Sequence, residues 1–356
     1  MSRSSLVPSV SLPAIVLAGD RRAAKAVYGE SKVYLEIAGK PLVAHVVEVL
    51  QAVPEVSEVW VVGDAERLGA LFDEPAQRSR IQKPLHIVEQ LRSLYENGWQ
   101  TYRRLLPAAG PQGRDPEEAD LDLRVLYLSG DLPFATPQEI STFVRRAVAS
   151  GRSYVLGLVT SDSLTSFQPG TPGGPGIEPE FFHLKEGRFR QSNLHLLKPA
   201  RILNRFYVEE MYEHRYQREW GNIAALAWRL LTSEQGGLVV MAYYALMHLA
   251  LMVNRLGLGR LADRIRSWVP SHRIERGCSE LLRAEFCFEF TEAGGCAVDI
   301  DNEAEYDAAR ERYAEWHAAQ AKRAVDLYGP IPLGAESSAQ PGANESSASK
   351  RASEEG

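Results

Sequence analysis

Short apolar runs alternate with amphipathic stretches along the first half of the chain, and this pattern predicts alternating strands and helices. The apolar runs predict buried strands over 14–17, 58–62, 85–88, 125–128 and 154–159. Apolar positions at helical spacing predict helices over 42–53 and 93–104, and a third from Pro137 onward with Thr136 as its N-cap. Repeated β/α units favour an α/β fold with a mainly parallel, doubly wound sheet.

The second half departs from this regular alternation. Residues 180–195 predict a β-hairpin that turns at Glu186-Gly187, and strict alternation would place Arg190 and Asn193 on opposite faces. Residues 284–291 then predict a strand, and 303–321 predict a helix.

These patterns divide the chain into five parts. We expect a flexible N-terminus over 1–12, a core over 13–199, a helical insert over 200–276, a return to the core over 277–332 and a disordered tail over 333–356. The tail consists mainly of Ser, Ala, Glu, Gly and Pro, which cannot bury a core.

The insert contains the most hydrophobic stretch of the chain, residues 236–256, followed by a basic amphipathic segment that ends at Trp268. The uninterrupted apolar part is too short to span a bilayer. Three interpretations stay open for 236–269, namely a packed helical subdomain, a homodimer surface or an element that contacts a membrane surface. We favour the packed subdomain, and we expect the insert to influence which acceptor is accepted.

Composition narrows the function classes. The chain has 356 residues, is 45% hydrophobic and carries a formal net charge of −6, which argues against nucleic-acid binding. The cysteines are Cys278, Cys287 and Cys296, without a CxxC pair, as expected of reduced thiols rather than a zinc site. The first residues lack the pattern of a secretory signal, so we expect a cytoplasmic protein.

Two strand ends carry candidate chemistry. The strand at 14–17 leads to Gly19, a cation-rich loop over 20–25 and then Lys32, a combination that suits a polyphosphate. Asp131 follows the strand at 125–128, and ligands of open α/β sheets bind at the carboxyl ends of strands. A carboxylate at that position favours Mg²⁺, which binds through one or two carboxylates plus substrate phosphates.

The series Leu17-Ala-Gly19, Lys32, Gly39-Lys-Pro41, Gly130-Asp-Leu-Pro-Phe134 and Val298-Asp-Ile-Asp301 resembles the motifs of the MobA-like nucleotidyltransferases. The resemblance runs from about Pro13 to Trp316 and rests on the order and spacing of the motifs. It implies a GT-A, Rossmann-like fold that transfers a nucleoside monophosphate from a nucleoside triphosphate to a small phosphorylated acceptor. Pyrophosphate is released and Mg²⁺ is the cofactor.

The resemblance also implies roles for individual residues. They are Lys32 with Arg21 or Arg22 at the phosphates, Leu17, Ala18 and Gly19 along the nucleotide, Asn97 and Gly98 at the nucleobase, and Asp131 and Asp299 at the metal. The resemblance further implies that the hairpin over 180–195 lies across the mouth of the site and receives the acceptor, so Arg190 and Asn193 are the candidates for binding an anionic acceptor. We prefer Asp299 to Asp301 as the second metal ligand and expect Asp301 to cap the helix over 303–321. In the alternative, both aspartates serve the helix start.

The glycine loop departs from the family pattern. Asp20 stands where the family has a second glycine, and Arg21 and Arg22 lie nearer the start of the loop than the family's arginine. This departure favours the second of two other functions that stay open. One is a GT-A glycosyltransferase that uses a nucleotide sugar, and the other is a non-catalytic nucleotide-binding protein that retains the fold.

Overall fold

The computed structural model describes residues 10–19, 26–170, 174–205 and 237–331. The predicted phosphate-binding candidates Arg21 and Arg22 lie outside these residues, as do Asp20 and the predicted tail over 333–356.

The strands of the main sheet fall where the sequence pattern predicts them, with ends that differ by a few residues, whereas four short strands between 26 and 41 were not predicted. In chain order the strands are β1 (Leu12–Leu17), β2 (Ala26–Val27), β3 (Glu30–Ser31), β4 (Glu36–Ile37), β5 (Lys40–Pro41), β6 (Val56–Gly63), β7 (Leu85–Glu89), β8 (Val125–Ser129), β9 (Tyr154–Thr160), β10 (Phe182–Leu184), β11 (Gly187–Leu197) and β12 (Phe286–Thr291). The pairs β2–β3 and β4–β5 are small antiparallel hairpins outside the main sheet.

The helices predicted over 42–53, 93–104, from Pro137 onward and over 303–321 are present, whereas those over 65–73 and 75–78 were not predicted. In chain order the helices are α1 (Leu42–Gln51), α2 (Ala65–Asp73), α3 (Pro75–Arg78), α4 (Leu94–Leu105), α5 (Pro137–Ala149), α6 (Gly237–Arg255), α7 (Gly259–Arg266), α8 (Ser271–Leu282) and α9 (Glu303–Tyr328). Thr136 caps α5 as predicted, since its side chain accepts a hydrogen bond from the Glu139 backbone N–H.

The main sheet has the strand order β12-β9-β11-β8-β1-β6-β7, with β10 paired to β11. Neighbouring strands are parallel except where β11 runs antiparallel between β8 and β9. The expected mainly parallel α/β sheet is confirmed. Ala14 and Val16 of β1 pack in the cluster that contains α1 and α5, whereas Ile15 packs on the other face with Tyr102 of α4. Helices therefore cover both faces, as in a doubly wound sheet.

The predicted hairpin is placed differently from our expectation. Its longer arm, β11, continues through the main sheet, and only its start, where Phe189 pairs with Thr160 at the end of β9, lies at the edge of the site. Lys185-Glu186 forms the turn because Gly187 already belongs to β11. Phe189, Leu194 and Leu196 are buried there, and a rim hairpin would leave such apolar side chains in water.

The long helix α9 returns to the first half of the chain. The Tyr28 hydroxyl donates a hydrogen bond to Asp307 (2.5 Å), and the Tyr306 hydroxyl donates to the backbone oxygen of Glu36 (2.8 Å). Trp316 is fully buried against Phe134. These contacts hold the β2–β5 region and α9 together around one end of the sheet.

In the described part of the insert, one face of the helices packs on the sheet, and the choice between the three interpretations stays a prediction. Tyr243 and Leu246 of α6 contact a cluster that includes Phe189 and Val269, and Ala250 of α6 packs with Ile265 of α7. Within the described ranges, every helix is too short or too polar to cross a lipid bilayer.

Candidate active site

The carboxyl ends of β1 and β8 lie side by side at the centre of the sheet. Leu17 pairs with Ser129, and the Gly130 backbone N–H donates a hydrogen bond to the Leu17 oxygen (3.0 Å). A Cβ atom at Gly130 would lie 3.1 Å from the Ala18 Cβ, so the close approach of the two strand ends depends on a glycine there. Gly19 and Asp131 consequently emerge from neighbouring strands at one edge.

Lys32 is held between two carboxylates from distant parts of the chain. Its Nζ lies 2.5 Å from Asp131 Oδ2 and 2.9 Å from Asp301 Oδ1. A 3₁₀ turn over Lys32–Tyr34, anchored by the buried Val33, presents the side chain. Burial alone would lower the pKa of Lys32, but Asp131 and Asp301 outweigh it and raise the pKa, so the ammonium stays protonated.

Asp131 is the most enclosed carboxylate of this group, with a side chain only 1% exposed. Ser129 donates a hydrogen bond to its Oδ1, and Lys32 contacts its Oδ2. Both oxygens therefore have partners, which fixes the orientation of the carboxylate toward the strand edge.

The expectation that Asp301 caps the last helix is wrong. Asn302 is the N-cap of α9, and its side chain accepts from the Glu305 backbone N–H (3.0 Å). The cap is the residue directly before the first helical turn, which leaves Asp301 outside it. The Asp301 side chain binds Lys32, while its backbone N–H donates to Glu305 Oε2 (2.7 Å).

Asp299 lies beside this group and pairs with Arg190. Arg190 Nη2 lies 2.7 Å from Asp299 Oδ1. Burial raises the pKa of Asp299 above its usual range, and Asp301 and Asp131 add to this while Arg190 opposes it. One carboxylate oxygen from each of Asp131, Asp299 and Asp301 lies within 4.8 Å of the other two. This arrangement offers hard oxygen ligands to a divalent cation.

Arg190 and Asn193, predicted to lie on opposite faces, reach the same segment. The Asn193 side-chain nitrogen lies 3.4 Å from the Cys296 backbone oxygen, three residues before the Arg190 partner Asp299. The register of β11 against β9 shifts between Gln191 and His195, and Asn193 has φ = +56°. This irregularity interrupts the period of two on which the prediction depended.

Gly19 faces Gln90 and Asn97, the latter a predicted nucleobase contact. A Cβ atom at Gly19 would lie 3.1 Å from Gln90 Oε1 and 3.2 Å from Asn97 Nδ2. The Asn97 side-chain oxygen accepts a hydrogen bond from the Leu91 backbone N–H (2.5 Å). Sequence reasoning missed Gln90, although it directly follows β7 at the same sheet edge.

Gly98, the other predicted nucleobase contact, lies in the first turns of α4 against β8. A Cβ atom there would be 3.2 Å from a ring carbon of Tyr127, whose hydroxyl lies 3.4 Å from the Gly98 oxygen. In this structure the glycine therefore lets α4 approach the strand that carries Asp131.

Glu139 is a buried residue that sequence reasoning did not select. Its carboxylate accepts hydrogen bonds from the Thr291 hydroxyl (2.9 Å) and from the backbone N–H groups of Gly294 and Cys296 (both 3.1 Å). Burial raises the pKa of Glu139, and these donors oppose the shift. The carboxylate fixes the turn that precedes Asp299. The available signal was Thr136-x-x-Glu139, which has the form of a capping box and so suggests a surface role.

We expect Glu139→Gln to lower the free energy of unfolding by about 2–4 kcal/mol, because one side-chain oxygen is replaced by a nitrogen that faces a backbone donor. Urea unfolding followed by circular dichroism measures this. Glu118→Gln, on an exposed side chain, is the control and should change the unfolding free energy by less than about 0.5 kcal/mol. Equal unfolding curves for the two variants would show that the Glu139 hydrogen bonds contribute little.

Comparison with known proteins agrees with the motif series. Residues 14–164 match the family model of the MobA-like NTP transferase domain, which confirms the predicted resemblance over that part of the chain. A curated relative, 2-C-methyl-D-erythritol 4-phosphate cytidylyltransferase of Chlorobium luteolum, is 28% identical over 123 residues, or 35% of this chain. The match covers 48% of that enzyme, so the chain spans about half the length of this relative.

A solved structure shares the overall fold. It is described as a hypothetical transferase from Thermus thermophilus and superposes with a TM-score of 0.52 at 22% identity, covering 83% of this chain and 99% of that one. At this level of identity the likeness concerns the fold.

Proposed function

We propose that the chain, whose residues 14–164 match the MobA-like NTP transferase domain, transfers a nucleoside monophosphate from a nucleoside triphosphate to a small phosphorylated acceptor and releases pyrophosphate. The observation that carries the proposal is the ammonium of Lys32 between Asp131 and Asp301, at the strand edge where Gly19 opens the backbone to a ligand. The cytidylyltransferase activity named for the Chlorobium relative is a reaction of this class. Nucleoside triphosphates are abundant in the cytoplasm, which is where we place the reaction.

We propose Mg²⁺ as the cofactor, and the donor set fits this ion. Asp131, Asp299 and Asp301 supply three negatively charged carboxylates. The positive charges of Lys32 and Arg190 offset two of these three negative charges. Asp131 and Asp299 are the proposed ligands, with Asp301 near enough to contribute an oxygen. When bound, Mg²⁺ neutralises phosphate charge and orients the triphosphate.

In this proposal Lys32 also binds the phosphates of the triphosphate. Its present partners belong to the group of carboxylates that suits the cation, so cation binding competes with the ammonium for the same oxygens. Release from at least one carboxylate would leave the ammonium available to the charge that develops on the leaving pyrophosphate. Arg21 or Arg22 is proposed to assist there.

The acceptor is proposed to bind near Arg190 and Asn193. The Arg190 guanidinium is the cation next to the carboxylate group on the β11 side, and a guanidinium binds phosphate through paired N–H donors. An acceptor phosphate held there would lie near the α-phosphorus that it attacks. Catalysis then rests mainly on positioning and charge neutralisation.

The test is an assay of the full chain with each of the four nucleoside triphosphates, Mg²⁺ and a panel of phosphosugars, with pyrophosphate release as the readout. We expect release that requires the triphosphate, an acceptor and the metal, and that stops when EDTA is added. Consumption of a nucleotide sugar without pyrophosphate would instead indicate a glycosyltransferase. Tight triphosphate binding without turnover on any acceptor would indicate a non-catalytic nucleotide-binding protein.

Gly19→Ala is expected to weaken triphosphate binding about tenfold, because a methyl group would crowd Gln90 and Asn97 and occupy space proposed for the nucleotide. Titration calorimetry measures the loss. Gly69→Ala in α2 is the matched control, since a Cβ atom at Gly69 meets no atom within 4 Å and alanine favours a helix. Unchanged affinity in Gly19→Ala would place the nucleotide elsewhere.

A further inference from the structure

The α6–α7 hairpin of the insert exposes large apolar side chains on its outer face. We call this surface the insert patch, and its members are each between 40% and 69% exposed: Leu249, Met252, Leu256, Leu258, Leu261 and Trp268. Single exposed apolar residues are ordinary on protein surfaces, whereas a group on adjoining helices indicates a site of interaction.

The helices α6 and α7 have two apolar faces, and the insert patch is the one that is not used for packing between them. The inner face of the same helices is buried, with Ala250 and Val253 of α6 against Ala262 and Ile265 of α7. On the outer face, Leu249, Met252 and Leu256 follow helical spacing. Gly257, with φ = +78°, forms the turn between the two helices, so Leu256 and Leu258 project at the tip.

The described part of the insert up to residue 276 carries a net charge opposite to that of the whole chain. Residues 237–276 contain six arginines and two acidic residues, although the whole chain has a net charge of −6. Arg260 and Arg264 lie exposed on α7 beside Leu261. An apolar surface bordered by arginines, with a tryptophan at its edge, complements a layer of anionic headgroups over hydrocarbon.

We propose that the insert patch binds the surface of a membrane that contains anionic lipid, with its apolar side chains in the acyl boundary and the arginines at the headgroups. A symmetric dimer through the same surface is disfavoured, because it would bring the arginines of two copies together. Phe189 packs in the cluster that contains Val269 and Leu246. Under the acceptor role proposed above for its neighbour Arg190, docking would hold the acceptor side of the site close to the membrane.

Co-sedimentation of the full chain with lipid vesicles tests the proposal. We expect binding to vesicles of phosphatidylcholine mixed with phosphatidylglycerol, little binding to phosphatidylcholine alone, and release as the salt concentration rises. Leu256→Ser combined with Leu258→Ser should lower the partition coefficient at least tenfold. Leu327→Ser, at an exposed leucine of α9, is the matched control and should leave it unchanged.

A second pair of variants separates charge from apolar contact. Arg260→Gln combined with Arg264→Gln should lower binding about 30-fold, at about 1 kcal/mol per arginine, and reduce the salt dependence. The proposal is overturned if the protein stays in the supernatant with both kinds of vesicle, or if the patch variants bind as the parent does. Formation of a dimer that the double leucine variant dissociates, without vesicle binding, would identify a second copy as the occupant.

Discussion

Asp131→Asn is expected to lower turnover about a thousandfold while the protein remains folded, in the range found when one preorganised electrostatic contact is removed from an active site. The amide keeps the shape of the side chain and an oxygen for Ser129 but removes the charge from the proposed metal ligand. Lys32 retains Asp301 as a partner at 2.9 Å, so the change leaves no unpaired cation. Pyrophosphate release at saturating Mg²⁺ and triphosphate measures turnover, and urea unfolding verifies the fold.

The control for this prediction is Asp122→Asn. Asp122 also accepts contacts from two cations, Lys198 and Arg201, each at 2.9 Å, but it is exposed and lies before β8 rather than after it. Turnover in this variant should stay within about twofold of the parent, because surface ion pairs contribute little. If Asp131→Asn also retained parental turnover, its assignment as a metal ligand would be wrong.

Lys32→Met is expected to weaken triphosphate binding about a hundredfold and monophosphate binding far less, because the ammonium is proposed to contact the phosphates that leave. Methionine keeps most of the apolar stem and removes the charge. The variant also deprives the buried Asp131 of its cation. Mg²⁺ should therefore raise the melting temperature of the variant more than that of the parent, since the ammonium no longer competes with the metal.

Lys40→Met provides a matched control, since Lys40 is 16% exposed against 17% for Lys32 and is likewise paired, in its case with Glu48. Its triphosphate affinity and its response to Mg²⁺ should equal those of the parent. Calorimetric titration with both nucleotides and thermal unfolding with and without Mg²⁺ give the comparison. Equal losses of triphosphate and monophosphate affinity in Lys32→Met would reassign Lys32 to a structural role.

Local signals in the sequence predicted most of the secondary structure. β1 and β8 are short apolar runs that end at glycine and serine, and α5 begins where Thr136 and Pro137 predict. The central place of β11 was not predictable in the same way, because the order of strands in a sheet depends on contacts between distant segments. Alternation along β11 also failed where Asn193 takes a positive φ.

In the candidate site, too, local sequence signals predicted some residues, whereas contacts between distant segments were not predictable. Asp131 was recognisable as a candidate site residue from its place at a strand end. The contact of Asp301 with Lys32 was not predictable, because an aspartate just before a helix is equally typical of a helix cap. Glu139 has the spacing of a capping box, and only the approach of the turn at Gly294 shows that its carboxylate lies inside the fold.

The contact between Lys32 and Asp301 joins residues 269 positions apart, and it has a consequence for the synthesis of the chain. A ribosome that adds about 5–20 residues per second produces Asp301 tens of seconds after Lys32. In the later part of that interval, once residue 164 has been added, the nascent chain carries the whole of the matched domain, while Lys32 and Asp131 still lack Asp301. A chain released before Asp301 would keep the matched domain but lack this carboxylate of the proposed site, so we expect such a fragment to be inactive.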